Sequence, residues 1–308
     1  MARIYPKAFL GNKIVPLKQA SLGVATSAVL YGLSVYTVFP VSMTKKGPAA
    51  FRLTDHLTRL RNSARIIGID TFEKRWGLTA FEKAVAATVR ANRIREDVFV
   101  RATVHVSAQL PGTRSRGLET TLSIFVYEAT PILPTRGARV KTSVWRRIPD
   151  YAIPSRAKVN GAYVNSVLAK QDALDSGYDD CIFLDVAGHV CELSAANIFI
   201  VRDGTLITPG ASSDILEGIT RRTVLELATD FGLPVVERTI DLTELYVADE
   251  VFASGTSAFV APISEVDARQ IGDGASGPVT KRLREAHRHV LHGESTQYEA
   301  FLTYLVKK

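Results

Sequence analysis

At 308 residues the chain is long enough for about two domains or one large one. With 46% hydrophobic residues it can bury a sizeable core. Its two cysteines, Cys181 and Cys191, argue against a disulfide scaffold, match no zinc spacing and fit a reducing compartment, so a cytoplasmic protein is expected. The net charge of +7 comes from 38 basic residues spread along the whole chain. That spread favours an anionic cofactor or substrate, or solvated surface, over nucleic acid.

The opening "MARIYPKAFLGNK" has no apolar h-region and no small-residue cleavage site, so no secretory signal is expected. From Gln19 to Thr44 no charged residue occurs, and Lys18, Lys45 and Lys46 flank the run, as around a membrane span. Two glycines, a proline and many hydroxyls read instead as strand and turn material, and no membrane partner is expected. "LTDHLTRLRNSARIIG" places Leu57, Leu60, Ala64 and Ile67 on one helical face. "LTAFEKAVAATVRAN" predicts a second helix, with a capping box from Thr79 to Glu82 and Phe81, Val85 and Thr88 along it. "EDVFVRATVHVS" alternates cleanly as a strand: Val98, Val100, Ala102, Val104 and Val106 share one face, Phe99, Arg101, Thr103 and His105 the other. "TTLSIFVYEA" predicts a second strand, and "TPILPTRG", with two prolines, a linker near residue 130.

Beyond the linker, Lys158 and the glycine-containing "VNGAY" precede the helical pattern "NSVLAKQDAL". "CIFLDVAGHVCEL" and "NIFIVRDGTLITP" predict consecutive hairpins, the second turning at Asp203-Gly204. "GITRRTVLELATDFGLP" predicts a helix that stops at Gly232 with Pro234 just beyond. "EVFASGTSAFVAPIS" returns to strand, and Gly277-Pro278 opens a last basic helix. A smaller α/β domain (1–128), a linker (129–137) and a larger domain rich in antiparallel strands (138–308) are therefore expected.

Two motifs are discounted. "GDGASG", residues 272–277, matches a dinucleotide fingerprint, but too little chain follows for the rest of such a domain, so a loop is expected. His287 and His289 point to nearly opposite sides of a helix and, with His292, lack a carboxylate or thiol to complete a site. A solvated basic face and no metal are expected.

What remains is a constellation. Lys158 stands ahead of a helix, and Glu192 five residues before Asn197. "LEGITR" puts Gly218, Ile219 and Thr220 at a helix start, where backbone N–H groups and the dipole favour an anion. "ASGTSA" puts Thr256 in a glycine-containing turn, and Arg59 adds a positive charge from the first domain. Taken singly, Lys158, Arg59 and Glu192 each read as surface or ion-paired groups.

Together, "RAKVNGAYVNSVLAK", "HVCELSAANIFIV", "ILEGITRRTV" and "EVFASGTSAFVAP" resemble the fold-type IV pyridoxal-phosphate enzymes, and among them the branched-chain aminotransferases. The resemblance runs from "ASLGVATSAVLYG" to "GPVTKRL" and is densest from Lys158 to Pro278, with several motifs in the same order. It implies a small N-terminal α/β domain and a larger C-terminal pseudo-barrel domain. It also implies pyridoxal 5'-phosphate as cofactor, a homodimer or higher homo-oligomer, and amino transfer from a branched-chain or other hydrophobic amino acid to a keto acid such as 2-oxoglutarate. Lys158 would bind the cofactor covalently and serve as the catalytic base. Tyr163 would bond the ring oxygen, Glu192 would meet the pyridine nitrogen, and Leu216 would pack on the ring. Arg59, Gly218, Ile219, Thr220 and Thr256 would hold the phosphate. Tyr31, Tyr36, Phe99, Arg101, Thr256 and Ser257 would face the substrate. In the family's "YIR" pattern the arginine helps hold the substrate carboxylate; here the stretch reads "FVR", ending in Arg101.

These roles suit the residue types. A lysine amine can form a Schiff base and move an α-proton. A carboxylate at the ring nitrogen keeps the electron sink protonated. The chain departs from the branched-chain pattern around the substrate: Tyr36, Thr37, Val38, Phe39 and Pro40 replace an "FEGIR" stretch, Phe99 a common tyrosine, Ala162 a usual asparagine, and "ELSAAN" replaces "EGSGEN". D-amino-acid or (R)-amine transamination, and aminodeoxychorismate cleavage, therefore stand as alternatives within the family. A non-catalytic basic binding protein is the alternative outside it.

Overall fold

The computed structural model describes residues 2–305. Its contacts group the chain into two units. The first is the chain up to Thr130, with Ala157–Ala162 and the segment from Val290 onward; the second is Pro131–Arg156 with Tyr163–His289.

In the first unit, β1 (Lys7–Leu10), β2 (Lys13–Pro16), β3 (Ser34–Thr44), β4 (Gly47–Phe51), β5 (Val98–Val106), β6 (Thr120–Glu128) and β16 (Leu302–Tyr304) form one antiparallel sheet. Its order is β16-β4-β3-β5-β6-β1-β2. The valine face of β5 is fully buried with Leu122, Ile124 and Val126 of β6, in one core with α2 (Leu53–Ile66), α3 (Phe72–Arg75) and α4 (Leu78–Ala91). The other face of β5 is not a solvent face: Phe99 and Thr103 are buried, and Arg101 and His105 are half-buried.

Two details differ from expectation. Ile67 falls just past the end of α2 yet packs, half-buried, against the same core as Leu57, Leu60 and Ala64, while Leu53, His56 and Ser63 complete the inner face. The Thr79–Glu82 capping box does not form. Extended Gly77 is the N-cap and the helix begins at Leu78, so Thr79 already lies inside the first turn. The uncharged run from Gln19 folds as α1 (Ser27–Tyr31) and β3, and no helix among the described residues is long and apolar enough to cross a membrane.

In the second unit, β7 (Ala138–Thr142), β8 (Asp180–Leu184), β9 (Val190–Leu193), β10 (Asn197–Arg202), β11 (Thr205–Thr208), β12 (Val235–Glu237), β13 (Glu250–Gly255), β14 (Phe259–Val266) and β15 (Arg269–Gln270) form the second sheet. The path β10-β13-β14-β7-β8-β9 closes on itself because β9 pairs back to β10 through Glu192 and Asn197. The result is a barrel-like sheet with both predicted hairpins in place. Leu245 of the short α7 (Leu242–Leu245) is buried in its core. Asp203 and Gly204 have φ of 48° and 71°, the left-handed pair that a two-residue hairpin turn needs. Gly232, at φ 71°, follows α6 (Ile219–Asp230) and stops it as the sequence predicts.

α8 (Pro278–Leu291) starts against the buried Glu250 of β13, whose carboxylate accepts the Val279 and Thr280 N–H groups at 2.9 and 2.7 Å. Gly277 is obligatory there, since a Cβ would lie 2.1 Å from the Glu250 Cδ. Residues 272–277 are the expected loop. His287 departs from the expected solvated face: it is buried, tilted against the Phe259 ring, because α8 turns this side inward with Leu283.

Candidate active site

Register places the functional side chains of the first unit. Val35 of β3 forms an antiparallel bridge with Val159. The Tyr36 N–H donates to the Lys158 carbonyl at 3.0 Å, and the Asn160 N–H to the Ser34 carbonyl at 2.9 Å. Lys158 therefore lies opposite Tyr36, and Asn160 opposite Ser34, on the same face of the sheet. Tyr36 is opposite Thr103, and Val38 is opposite Arg101. Lys158, Asn160, Ser34, Tyr36 and Arg101 thus share the face away from the valine core.

Side-chain contacts agree. The Lys158 Nζ lies 4.9 Å from the centroid of the Tyr36 ring, and the Arg101 guanidinium carbon 3.7 Å from that same centroid. The Arg101 Nη2 donates to Asn160 Oδ1, and Asn160 Nδ2 donates to Ser34 Oγ at 2.7 Å. Among the described residues no carboxylate pairs with the half-buried Arg101. His105 hydrogen-bonds Ser123 Oγ at 2.8 Å. Burial first, and the Arg101 charge second, push its imidazole down to about 4, so it stays neutral around pH 7.

The Lys158 segment can lie this close to β3 because two glycines meet. A Cβ on Gly32 would sit 2.8 Å from the Gly161 Cα, and Gly32 is itself left-handed at φ 64°. The Lys158 N–H donates to Ser63 Oγ of α2 at 3.0 Å, a second anchor. Arg59, also on α2, donates to Thr37 Oγ1 at 3.3 Å, on the helix side of β3 and so across the sheet from Tyr36. Phe99 is buried on the Arg101 face against Tyr127. Tyr31 lies at the end of α1 with an exposed side chain, and its hydroxyl accepts the Gly112 N–H at 3.1 Å.

The second unit builds a different set. Glu192 is 6% exposed, where an isolated carboxylate would be costly. It is held on both oxygens. The Arg147 Nη2 reaches Oε1 at 2.9 Å, and Oε2 accepts from Asn197 Nδ2 at 3.0 Å and the Leu216 N–H at 3.3 Å. Asn197 also donates to the Leu216 carbonyl at 2.9 Å, which fixes the chain just ahead of α6. A Cβ on Gly218 would lie 2.1 Å from Asn197 Oδ1, so any larger residue would have to displace the Asn197 side chain. Ile219 and Thr220 follow in the first turn of α6, both buried, and their N–H groups have no intrahelical acceptor.

Thr256 and Ser257 are half-buried in the turn between β13 and β14, and Tyr163 is half-buried at the start of α5 (Tyr163–Asp175). Burial, with Glu192 next in effect, pushes the Cys191 thiol up, so it stays protonated.

The residues present fit the expected cofactor. Glu192, Asn197 and Ser254 stand in one row across β9, β10 and β13. Ser254 Oγ in that row is buried with no protein hydrogen-bond partner. A carboxylate suits a protonated pyridine nitrogen, and the start of α6 suits a phosphate. Sequence reasoning missed Arg147, Asn160, Ser34 and Ser63. Asn160 stood inside the "KVNG" stretch, but nothing in the periodicity around Arg147 links it to Glu192.

The chain is similar to known proteins over nearly its whole length. Residues 34–266 match the model of the amino-transferase class IV family. A probable branched-chain-amino-acid aminotransferase of Aquifex aeolicus is 38% identical over 98% of this chain and 97% of its own. The branched-chain aminotransferase of Thermoproteus uzoniensis, solved with norvaline, superposes with a TM-score of 0.94 at 36% identity, covering 98% of this chain and 100% of that one. The branched-chain amino acid aminotransferase of Thermobaculum terrenum, solved in its PLP-form, gives a TM-score of 0.90 at 32% identity over 99% of each chain.

Proposed function

The chain belongs to the class IV aminotransferases, and we propose that Lys158 is its catalytic amine and Arg101 its ligand for the substrate carboxylate. The protein is a pyridoxal-phosphate-dependent transaminase moving an amino group between an amino acid, branched-chain or otherwise hydrophobic, and a keto acid. When bound, the cofactor takes up the electron pair left at the α-carbon. The chain's own residues do the rest. Lys158 Nζ moves the α-proton, a positioned transfer typically worth about 10² to 10⁴ in rate. Glu192, steadied by Arg147 and Asn197, holds a proton on the ring nitrogen. Tyr163 donates to the ring oxygen. Arg59, Gly218, Ile219, Thr220 and Thr256 bind the phosphate, and Leu216 packs on the ring. Tyr31, Tyr36, Phe99, Thr256 and Ser257 shape the substrate pocket.

The observation that carries this reading is Arg101, a half-buried guanidinium with no carboxylate partner among the described residues, on the same sheet face as the Lys158 amine. A guanidinium grips a carboxylate bidentately. α-Amino acids therefore fit the site better than simple amines, despite the altered segment after Tyr36. A donor panel tests this: L-branched, D- and aromatic amino acids and (R)-phenylethylamine, each with 2-oxoglutarate and pyruvate. The branched L-amino acids should be the fastest donors. Preference for (R)-phenylethylamine would move the chain to amine transamination, and release of pyruvate from aminodeoxychorismate would make it a lyase.

A homodimer in the cytoplasm completes the reading. Val164, Val167 and Leu168 of α5, Val144 and Trp145 of the β7–α5 connection, and Val186 leave the second unit with exposed apolar side chains that a second copy would cover. Sedimentation equilibrium at twice the chain mass is the expected result. Both cysteines are free and buried, in keeping with a reducing compartment.

A further inference from the structure

Arg101 and Lys158 share a sheet face, and Arg101 takes its aim from two neighbouring side chains, Tyr36 and Asn160. Its strand position is opposite Val38, two pairs along from Tyr36 and so the next on that face. The guanidinium carbon lies over the Tyr36 ring, 3.7 Å from its centroid. A cation–π contact keeps the guanidinium over the ring but does not set which N–H groups it presents. Asn160 removes that freedom, because its Oδ1 accepts from Arg101 Nη2. Asn160 cannot itself swing: its Nδ2 donates to Ser34 Oγ at 2.7 Å, and its N–H to the Ser34 carbonyl at 2.9 Å. The amide orientation follows from these partners, since only its oxygen can meet a guanidinium.

One edge of the guanidinium is thus occupied, and among the described residues its remaining N–H groups meet no protein acceptor. The free edge is the part able to take two carboxylate oxygens.

We propose that Asn160 is a positioning residue that sets the carboxylate preference of this transaminase by holding one edge of the Arg101 guanidinium over Tyr36, so that its other edge meets the substrate. The proposal rests on the amino-transfer reading and on Arg101 as the carboxylate ligand. Asn160 touches neither substrate nor cofactor; it acts through Arg101. Its contribution is orientational: it spares the bound acid the cost of ordering the arginine. Because Asn160 stands two residues after Lys158 on the same bridged segment, the carboxylate clamp and the reacting amine are held in one register on β3.

The test compares holoenzymes of the wild type, Asn160→Ala, Arg101→Ala and the double variant. Calorimetric titration measures 4-methylvalerate, a branched carboxylate, against its amide. Asn160→Ala should weaken 4-methylvalerate by about tenfold, the size of one oriented hydrogen bond, and leave the amide unchanged. KM for 2-oxoglutarate should rise in parallel while kcat holds. The double variant should bind 4-methylvalerate no more weakly than Arg101→Ala alone, because Asn160 has no effect once the guanidinium is gone. If Asn160→Ala does not fold, Ser34→Ala keeps Asn160 and removes its brace, and should give a smaller loss confined to the carboxylate.

Equal loss for acid and amide, no loss for either, or further loss in the double variant would each overturn the proposal. A wild type that transfers no amino group to a 2-oxo acid would overturn the functional reading and this proposal together. Normal transfer with an unaltered Asn160→Ala binding profile overturns this proposal alone.

Discussion

Replacing Glu192 with glutamine separates the electrostatic role of this residue from its role in packing. Glu192 meets donors on both oxygens: Arg147 on Oε1, and Asn197 and the Leu216 N–H on Oε2. A glutamine has one oxygen, so its NH₂ must face a donor whichever way the amide turns. Facing Asn197 and Leu216, it forfeits two contacts; facing Arg147, it forfeits one and leaves a half-buried guanidinium without its carboxylate. The second arrangement wins, and the fold loses about 1–3 kcal/mol, the cost of one unsatisfied buried donor. In a chain of this size that is a fall in Tm of about 2–12 °C, on a scale of roughly 2–4 °C per kcal/mol. Catalysis should suffer far more. A neutral amide cannot balance a protonated ring nitrogen, and losing one preorganised electrostatic partner typically costs about 10² to 10³ in kcat. Single-turnover amino transfer from L-leucine, run beside a thermal melt, reads both quantities. A Glu192→Gln enzyme that melts lower by that margin yet turns over at the wild-type rate would refute the assignment of Glu192 to the ring nitrogen.

Arg101→Ala should raise KM for keto acids by about 1.5–3 kcal/mol, one charge-assisted contact, and spare amines that lack a carboxylate; equal effects on both classes would make Arg101 a structural residue. Gly218→Ala places a methyl 2.1 Å from Asn197 Oδ1. Asn197 must then release Glu192 or the Leu216 carbonyl, and fluorescence titration of the apoenzyme should show cofactor affinity reduced by about 1–3 kcal/mol, the usual cost of overpacking; unchanged affinity would contradict it. Burial holds the His287 imidazole down at about 4 in the folded chain, against an ordinary value near 6.5. Its contribution to stability is therefore complete above pH 6.5 and is lost as pH falls toward 4, where the unfolded chain takes up the proton first. His287→Gln should flatten the acid limb of the stability profile by one proton, about 1.4 kcal/mol per pH unit, as read from urea melts between pH 4 and 7; an unaltered slope would show that His287 does not titrate there.

Local chemistry explains what the sequence revealed. The alternation in β5, the Asp203-Gly204 turn and the Gly232 stop are all set by backbone preferences within a few residues, and each appears where expected. The capping box failed because Gly77, two residues upstream, could leave the preceding turn in extended form and start the helix first. Helical geometry shows which residues share a side of α8, not which side packs inward, and His287 lies inward against Phe259 of β14. Of the candidate site, the motif residues were legible in order, but the groups that aim them were not. Arg147 reaches Glu192 from far along the chain. Asn160 meets Arg101 only because the segment after Ala157 bridges β3, a long-range pairing that no periodicity reports.

The central claim is that Lys158 is the amine that takes the cofactor. Reduction of the purified, cofactor-loaded protein with borohydride, followed by peptide mass spectrometry, tests it directly. The expected result is a single phosphopyridoxyl mass on the peptide carrying Lys158, and none in Lys158→Ala, whose fold should persist. The same mass on Lys141 or Lys170, or its survival in Lys158→Ala, would contradict the account.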